Sequence, residues 1–184
     1  MPVHVTLRVR DGLPSLQSPG FVREIRKSFL AVCERGDFRL VQYSIQSDHV
    51  HLIVEASDQD ALGRGMNAIN ARIARAVQRI FGVCRRIMSG SYHAHLLKTP
   101  KEVYRALAYV LMNVRKHFRQ KRGRAPEKMR LDEASSARWF RGFTLQLPAD
   151  RTGPCEVAQP RSWLLHDGWK QYGRIDPAFV PGSP

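Results

Sequence analysis
Along the first ten residues apolar and polar positions alternate: Val3, Val5, Leu7 and Val9 fall on one face, His4, Thr6, Arg8 and Arg10 on the other. That two-residue period predicts a half-buried strand over residues 2–10, ended by Asp11, Gly12 and Pro14. The period then lengthens. Val22, Ile25, Phe29 and Val32 recur at spacings of three and four, which predicts a helix opening after Ser18, with Pro19 in its first turn and Gly36 as its stop. Residues 38–46 read as a second strand, Ser47 and Asp48 as a tight connection, and residues 48–55 (D-H-V-H-L-I-V-E) as a strand returning in a hairpin. Leu62, Met66, Ile69, Ile73, Val77 and Ile80 then mark a second helix, with Ser57 and Asp60 as a capping box. After a loop over residues 82–90 and a fourth strand over 91–98, Thr99, Pro100 and Glu102 open a third helix that runs to about residue 121.

The order β-α-β-β-α-β predicts an α+β, ferredoxin-like antiparallel sheet with two helices on one face, followed by the third helix. Residues 1–121 are expected to form this domain, and residues 122–184 a basic C-terminal extension that packs on it or clamps over it. Trp139, Phe140 and Phe143 are expected to pack, Trp163, Leu164, Leu165 and Trp169 to form a short docking helix, and residues 181–184 to fray.

Composition points to the partner. Lys and Arg total 30 against 16 Asp and Glu, a formal charge of +14 over 184 residues, which suits a polyanion. Arg64, Arg72, Arg75 and Arg79, on the polar face of the second helix, add to this field. No segment pairs a basic face with bulky exposed apolar residues, and no apolar run reaches the length of a bilayer crossing, so no membrane partner is expected. Cys33, Cys84 and Cys155 match no metal or redox spacing and read as reduced thiols. A cytoplasmic protein is the expectation, nucleoid-associated if the polyanion is DNA.

The candidate chemistry lies in two places. Val50, Leu52 and Val54 give residues 48–55 an apolar face, and His49 and His51 stand together on the other, placed to share one divalent ion. The plain alternative is a pair of surface histidines bonded locally. On the third helix Val103, Leu107, Val110, Val114 and Phe118 form the core stripe, while Tyr109 sits among Arg105, Asn113, Lys116 and Gln120. Asn113, four residues after Tyr109, shares its face and offers an amide oxygen to Mg²⁺ or Mn²⁺. His49, His51 and Asn113 would then be the metal ligands and Tyr109 the nucleophile. Arg105 and Lys116, with Arg64 and Arg72, would contact DNA. Glu55, on the strand face of the pair, and a second H-x-H, His93 and His95, are alternative ligands.

The stretches P-V-H-V-T-L-R, S-D-H-V-H-L-I-V-E-A, Y-H-A-H-L-L-K-T-P and A-L-A-Y-V-L-M-N resemble the HUH single-tyrosine transposases, and more closely the REP-associated tyrosine transposases of bacteria. The resemblance implies a sheet-borne metal pair at His49 and His51, a nucleophile at Tyr109 and a helix ligand at Asn113. It also implies single-stranded DNA, often beside a hairpin, cleaved to a 5′-phosphotyrosine and a free 3′-hydroxyl. Two places depart from that pattern: Val114 follows Asn113 where many relatives have proline, and Gly90 and Ser91 stand where an acid and an arginine often precede Tyr92 and His93. The alternative is a domesticated, non-catalytic DNA- or RNA-binding protein of the same fold. Monomer and homodimer, with the tyrosine serving its own chain or a partner, both remain open here.

Overall fold
The computed structural model describes residues 1–122, 131–145, 148 and 151–179, with residues 114–122 as helix backbone only. The first alternation becomes β1 (Pro2–Arg8), shorter than expected because Val9 makes only an isolated bridge to Met88. α1 (Pro19–Leu30) begins where the Ser18 hydroxyl accepts from the Phe21 N–H, and it buries Phe21, Val22, Ile25 and Phe29. It ends well before Gly36, leaving room for a two-residue strand, β2 (Glu34–Arg35), that no periodicity announces. β3 (Phe38–Ile45) and β4 (His49–Ala56) form the predicted hairpin. α2 (Gln59–Phe81) is capped by Asp58, whose Oδ1 lies 2.7 Å from the Ala61 nitrogen, and not by Ser57, whose hydroxyl donates to Asp58. β5 (His93–Leu96) is half the expected length. At the start of α3 (Pro100–Arg122) the predicted box forms: Thr99 Oγ1 accepts from the Glu102 N–H and the Glu102 carboxylate accepts from the Lys98 N–H.

The sheet runs β2-β3-β4-β1-β5, every pair antiparallel. With the short β2 set aside this is the ferredoxin-like order. Val3, Val5 and Leu7, with Val50, Leu52 and Val54, face α1 and α2, as the alternation required. The other face is covered too: Val41 and Ile53 pack with α3 and with Ala137, Phe140, Phe143, Leu165 and Trp169 of the extension. The result is a sheet between two layers, with α3 and the extension opposite the first two helices. A bulge at Val41 makes this possible, since Leu40 pairs with Val54 and Gln42 with Ile53. The extra residue reverses the face of everything after it, so that Tyr43 and Ile45 join Phe38 and Leu40 in the first layer. α2 crosses this strand closely at Gly65, where a Cβ would meet the Phe38 ring at 2.2 Å.

The extension is tied to the core by a buried charge. Glu156 accepts from the Tyr43 hydroxyl (2.6 Å), the Arg138 guanidinium (2.8 Å) and the Trp139 indole (2.6 Å). These three donors outweigh the burial that would otherwise raise its carboxyl, and its pKa is lowered. The docking helix forms as α4 (Trp163–His166) with Leu165 and Trp169 buried, but Trp163 is 63% exposed rather than docked. Val114 and Phe118, expected in the core stripe, have side chains outside the described residues, as do residues 181–184.

Candidate active site
β4 presents His49 and His51 on the face covered by α3, and their Nε2 atoms lie 3.1 Å apart. Each ring is fixed from behind. Asp48 Oδ1 lies 2.7 Å from Nδ1 of His49, and Thr6 Oγ1 lies 3.1 Å from Nδ1 of His51. Thr6 comes from β1, directly opposite His51 in the register, and Arg8 is likewise opposite His49. Arg8 also holds the second oxygen of Asp48, at 2.9 Å. Burial acts to raise the Asp48 carboxyl, but His49 and Arg8 together hold it below its ordinary range.

Tyr109 reaches this pair from α3. Its ring meets His51 edge-on, with centroids 5.0 Å apart, and meets His4 at 5.9 Å; His4 and His51 lie 5.4 Å apart. One chain therefore supplies both the histidines and the phenol. Burial raises the Tyr109 pKa above its ordinary value, so the residue is a proton-bearing phenol at neutral pH. His4 is the neighbour that the sequence pattern did not single out. Burial, then the proximity of His95 and His93, lowers its pKa to about 4, and its Nε2 is buried without a hydrogen-bond partner. The alternation had placed His4 on the polar face of the first strand; only the pairing of β1 with β4 puts it at the site.

Asn113 lies one turn beyond Tyr109 and is 0% exposed, with neither amide atom hydrogen-bonded. Each unsatisfied buried polar group costs roughly 1–3 kcal/mol, and a ligand to the amide oxygen would lift the oxygen's share. The donor set suits a divalent ion. Nitrogen donors at about 2.1 Å on neighbouring octahedral positions stand about 3.0 Å apart, close to the Nε2 spacing. Among the described residues no three His, Cys, Asp or Glu side chains form a metal-holding group.

The remaining candidates separate. Glu55 is buried, but its carboxylate accepts from the backbone N–H groups of Arg161 (2.7 Å) and Ser162 (2.8 Å), so it anchors the extension. His93 and His95 lie exposed on β5, paired with Thr6 and His4 on the same face as the candidate metal pair. Arg105 is exposed on α3. Arg64 and Arg72 belong to α2, in the layer on the far side of the sheet, and Arg64 is ion-paired with Asp37 at 2.6 Å. The Lys116 side chain lies outside the described residues.

A family model for IS200-like transposases matches residues 1–111, a span that holds His49, His51 and Tyr109. The chain belongs to the IS200-like transposase family. No curated protein matches this transposase. Among solved structures it is similar to the REP-associated tyrosine transposase bound to a REP hairpin, at 14% identity and a TM-score of 0.50, over 88% of this chain and 93% of that one. It is also similar to a protein of Deinococcus radiodurans R1 described as a transposase, at 15% identity and a TM-score of 0.44, over 53% of this chain and 79% of that one. The first likeness covers more of the chain than the family match and supports the fold. No helix among its described residues is long and apolar enough to cross a membrane.

Proposed function
We propose that this transposase cuts and rejoins single-stranded DNA beside a hairpin through a covalent bond to Tyr109, with a Mg²⁺ or Mn²⁺ ion held by His49, His51 and Asn113. The observation that carries the reading is the contact between Tyr109 and His51, at 5.0 Å between ring centroids. It brings the phenol ring of Tyr109 on α3 against one of two imidazoles whose spacing suits one ion. The hairpin part of the reading draws on the solved relative, which is bound to one, and on the charge of +14.

Tyr109 Oη is the attacking atom. It bonds to a backbone phosphorus, the P–O3′ bond breaks, and one strand end is left as a 5′-phosphotyrosine. The departing 3′-oxygen takes up a proton and leaves as a hydroxyl. Attack by a 3′-hydroxyl on the phosphotyrosine runs the same exchange backwards, restoring the phenol and joining the strands. Burial raises the phenol's pKa, so attack has to be coupled to loss of its proton, which is then available to the departing 3′-oxygen. When bound, the ion supplies Lewis-acid polarisation of the phosphate. Asp48 and Thr6 keep the two imidazoles turned with Nε2 towards each other, and Arg105 stands one turn before Tyr109 to meet a neighbouring phosphate.

Incubation with a single-stranded oligonucleotide carrying a hairpin, in Mn²⁺, is expected to give a protein–DNA adduct that survives denaturation. Tyr109→Phe is expected to lose the adduct while still binding the oligonucleotide. An adduct that persists in this variant overturns the nucleophile; binding without any adduct in the unaltered protein favours the non-catalytic reading.

A further inference from the structure
A cavity of about 330 Å³ opens between β3, α3 and the extension. Leu107 is part of its wall, and at 100° per residue this side chain points about 160° away from Tyr109 around the helix. The cavity therefore lies on the flank of α3 opposite the candidate active site, and none of the site's residues lines it. Its volume is at the small end of ligand pockets, enough for one compact organic group.

The lining has a definite character. Half-buried Trp139 and the buried Phe140 and Trp169 line it with aromatic rings, and exposed Arg141 and Arg174 supply positive charge, Lys170 being paired with Asp167. The indole N–H groups are already used, by Glu156 for Trp139 and by the Leu165 carbonyl for Trp169, so the rings offer apolar surface alone. Their placement is set by close packing: a Cβ on Gly142 would come within 2.3 Å of the Trp169 ring and 2.5 Å of Phe140. Gln42 adds a polar group from the sheet. Its Oε1 accepts from the Ser136 hydroxyl at 2.6 Å, which fixes the side chain at the cavity wall.

We infer that this cavity is a second DNA contact of the transposase and takes one unpaired nucleotide of the substrate strand, with the base against the aromatic wall and its phosphates on Arg141 and Arg174. A bare anion would have no use for the rings, and an apolar peptide would meet Arg141 and Arg174, beside a Lys170 that is already paired with Asp167 at 2.7 Å. A nucleotide answers to both halves of the lining, since any base can stack and any phosphate can pair. The inference rests on the DNA reading above, and it gives the extension a task besides covering the sheet.

The test uses the full chain carrying Tyr109→Phe, so that no cleavage occurs, and Trp163→Phe, which removes the exposed indole. Tryptophan emission is followed while short homo-oligonucleotides of each base, and separately inorganic phosphate, are added. At least one oligonucleotide is expected to give a saturable change, and phosphate none. Combining Arg141→Glu with Arg174→Glu is expected to weaken that binding about tenfold or more, with the melting temperature unchanged. The inference is overturned if no oligonucleotide gives a saturable change, if phosphate alone reproduces it, or if the double charge reversal leaves the affinity as it was. Failure here with adduct formation intact removes the cavity and keeps Tyr109; the reverse removes Tyr109 and keeps the cavity.

Discussion
Thr6 Oγ1 lies 3.1 Å from Nδ1 of His51, across a strand pairing that puts the two residues in direct register. Asp48 makes the equivalent contact with His49 at 2.7 Å. Such contacts fix which ring nitrogen faces a ligand, and losing one typically costs 10–100-fold, as an order of magnitude, in metal affinity. Asp48→Ala is expected to weaken Mn²⁺ binding by about that factor and Thr6→Val by roughly the lower end of it. Asp48→Asn is expected to stay close to the unaltered protein, because an amide oxygen still accepts from Nδ1–H. A Mn²⁺ titration followed by electron paramagnetic resonance reads all three. Unchanged affinity in both Asp48→Ala and Thr6→Val would count against the metal site.

Asp132 gives a pH-dependent prediction. Burial, opposed by the Ala134 N–H and by Arg26, raises its pKa from 3.8 to about 6. Above pH 6 the native state carries a buried carboxylate that the unfolded chain keeps solvated, which costs about 3 kcal/mol at most. As the pH falls from 6 towards 3.8 the native state takes up the proton first, and that cost disappears. Asp132→Asn keeps an oxygen for the Ala134 N–H and is expected to stabilise the protein at pH 8, with the gain shrinking towards pH 4. Urea unfolding of both proteins at the two pH values measures the difference. A gain that does not depend on pH would contradict the assignment.

The two halves of the site were legible because each follows a short period. His49 and His51 share a face by strand alternation, and Tyr109 and Asn113 share one by the helical repeat. What connects the halves is not local. Thr6 and His4 enter only through the β1–β4 register, and Glu55 finds its partners more than a hundred residues away, at Arg161 and Ser162. The bulge at Val41 sits inside a run, F-R-L-V-Q-Y-S-I, whose alternation changes phase at Leu40 and Val41; the mark is there, but two adjacent apolar residues in a strand buried on both faces do not by themselves announce a bulge. Trp163 looked like a core residue because an indole so often is one; its exposure follows from α4 spending its single turn on burying Leu165. The second helix's arginines looked useful for DNA by composition alone, which cannot say on which side of a sheet a helix lies.

Glu156 is expected to decide whether the extension holds to the core. It is 2% exposed and bonded to Tyr43, Arg138 and Trp139 at once. Removing the carboxylate takes the acceptor from the buried Tyr43 hydroxyl and one partner from Arg138, at a cost of about 3–5 kcal/mol at most. Glu156→Ala is therefore expected to lower the urea-unfolding free energy by roughly that amount. Glu156→Gln, whose single carbonyl oxygen can still accept from Trp139 and Arg138 while its NH₂ donates to the Tyr43 hydroxyl, is expected to lose less. A loss well under 1 kcal/mol in the alanine variant would mean that the extension is held by its apolar contacts alone.

The layered architecture makes the arginines unequal. Arg105 is exposed on α3, one turn before Tyr109 and on the side of the sheet that carries the imidazoles. Arg64 and Arg72 stand on α2, behind the sheet, and Arg64 is already neutralised by Asp37. Reversing the charge of a group that touches phosphate removes an attraction and adds a repulsion; reversing one across the sheet changes only the distant field, which salt screens beyond about 8 Å at physiological ionic strength. Arg105→Glu is expected to weaken hairpin-oligonucleotide binding about tenfold at physiological salt, and to flatten its salt dependence. Arg64→Glu and Arg72→Glu are each expected to change it by less than about twofold under the same conditions. Fluorescence anisotropy with a labelled oligonucleotide over a salt series distinguishes these outcomes. A larger loss from the α2 arginines than from Arg105 would place the DNA on the other side of the molecule and separate it from Tyr109.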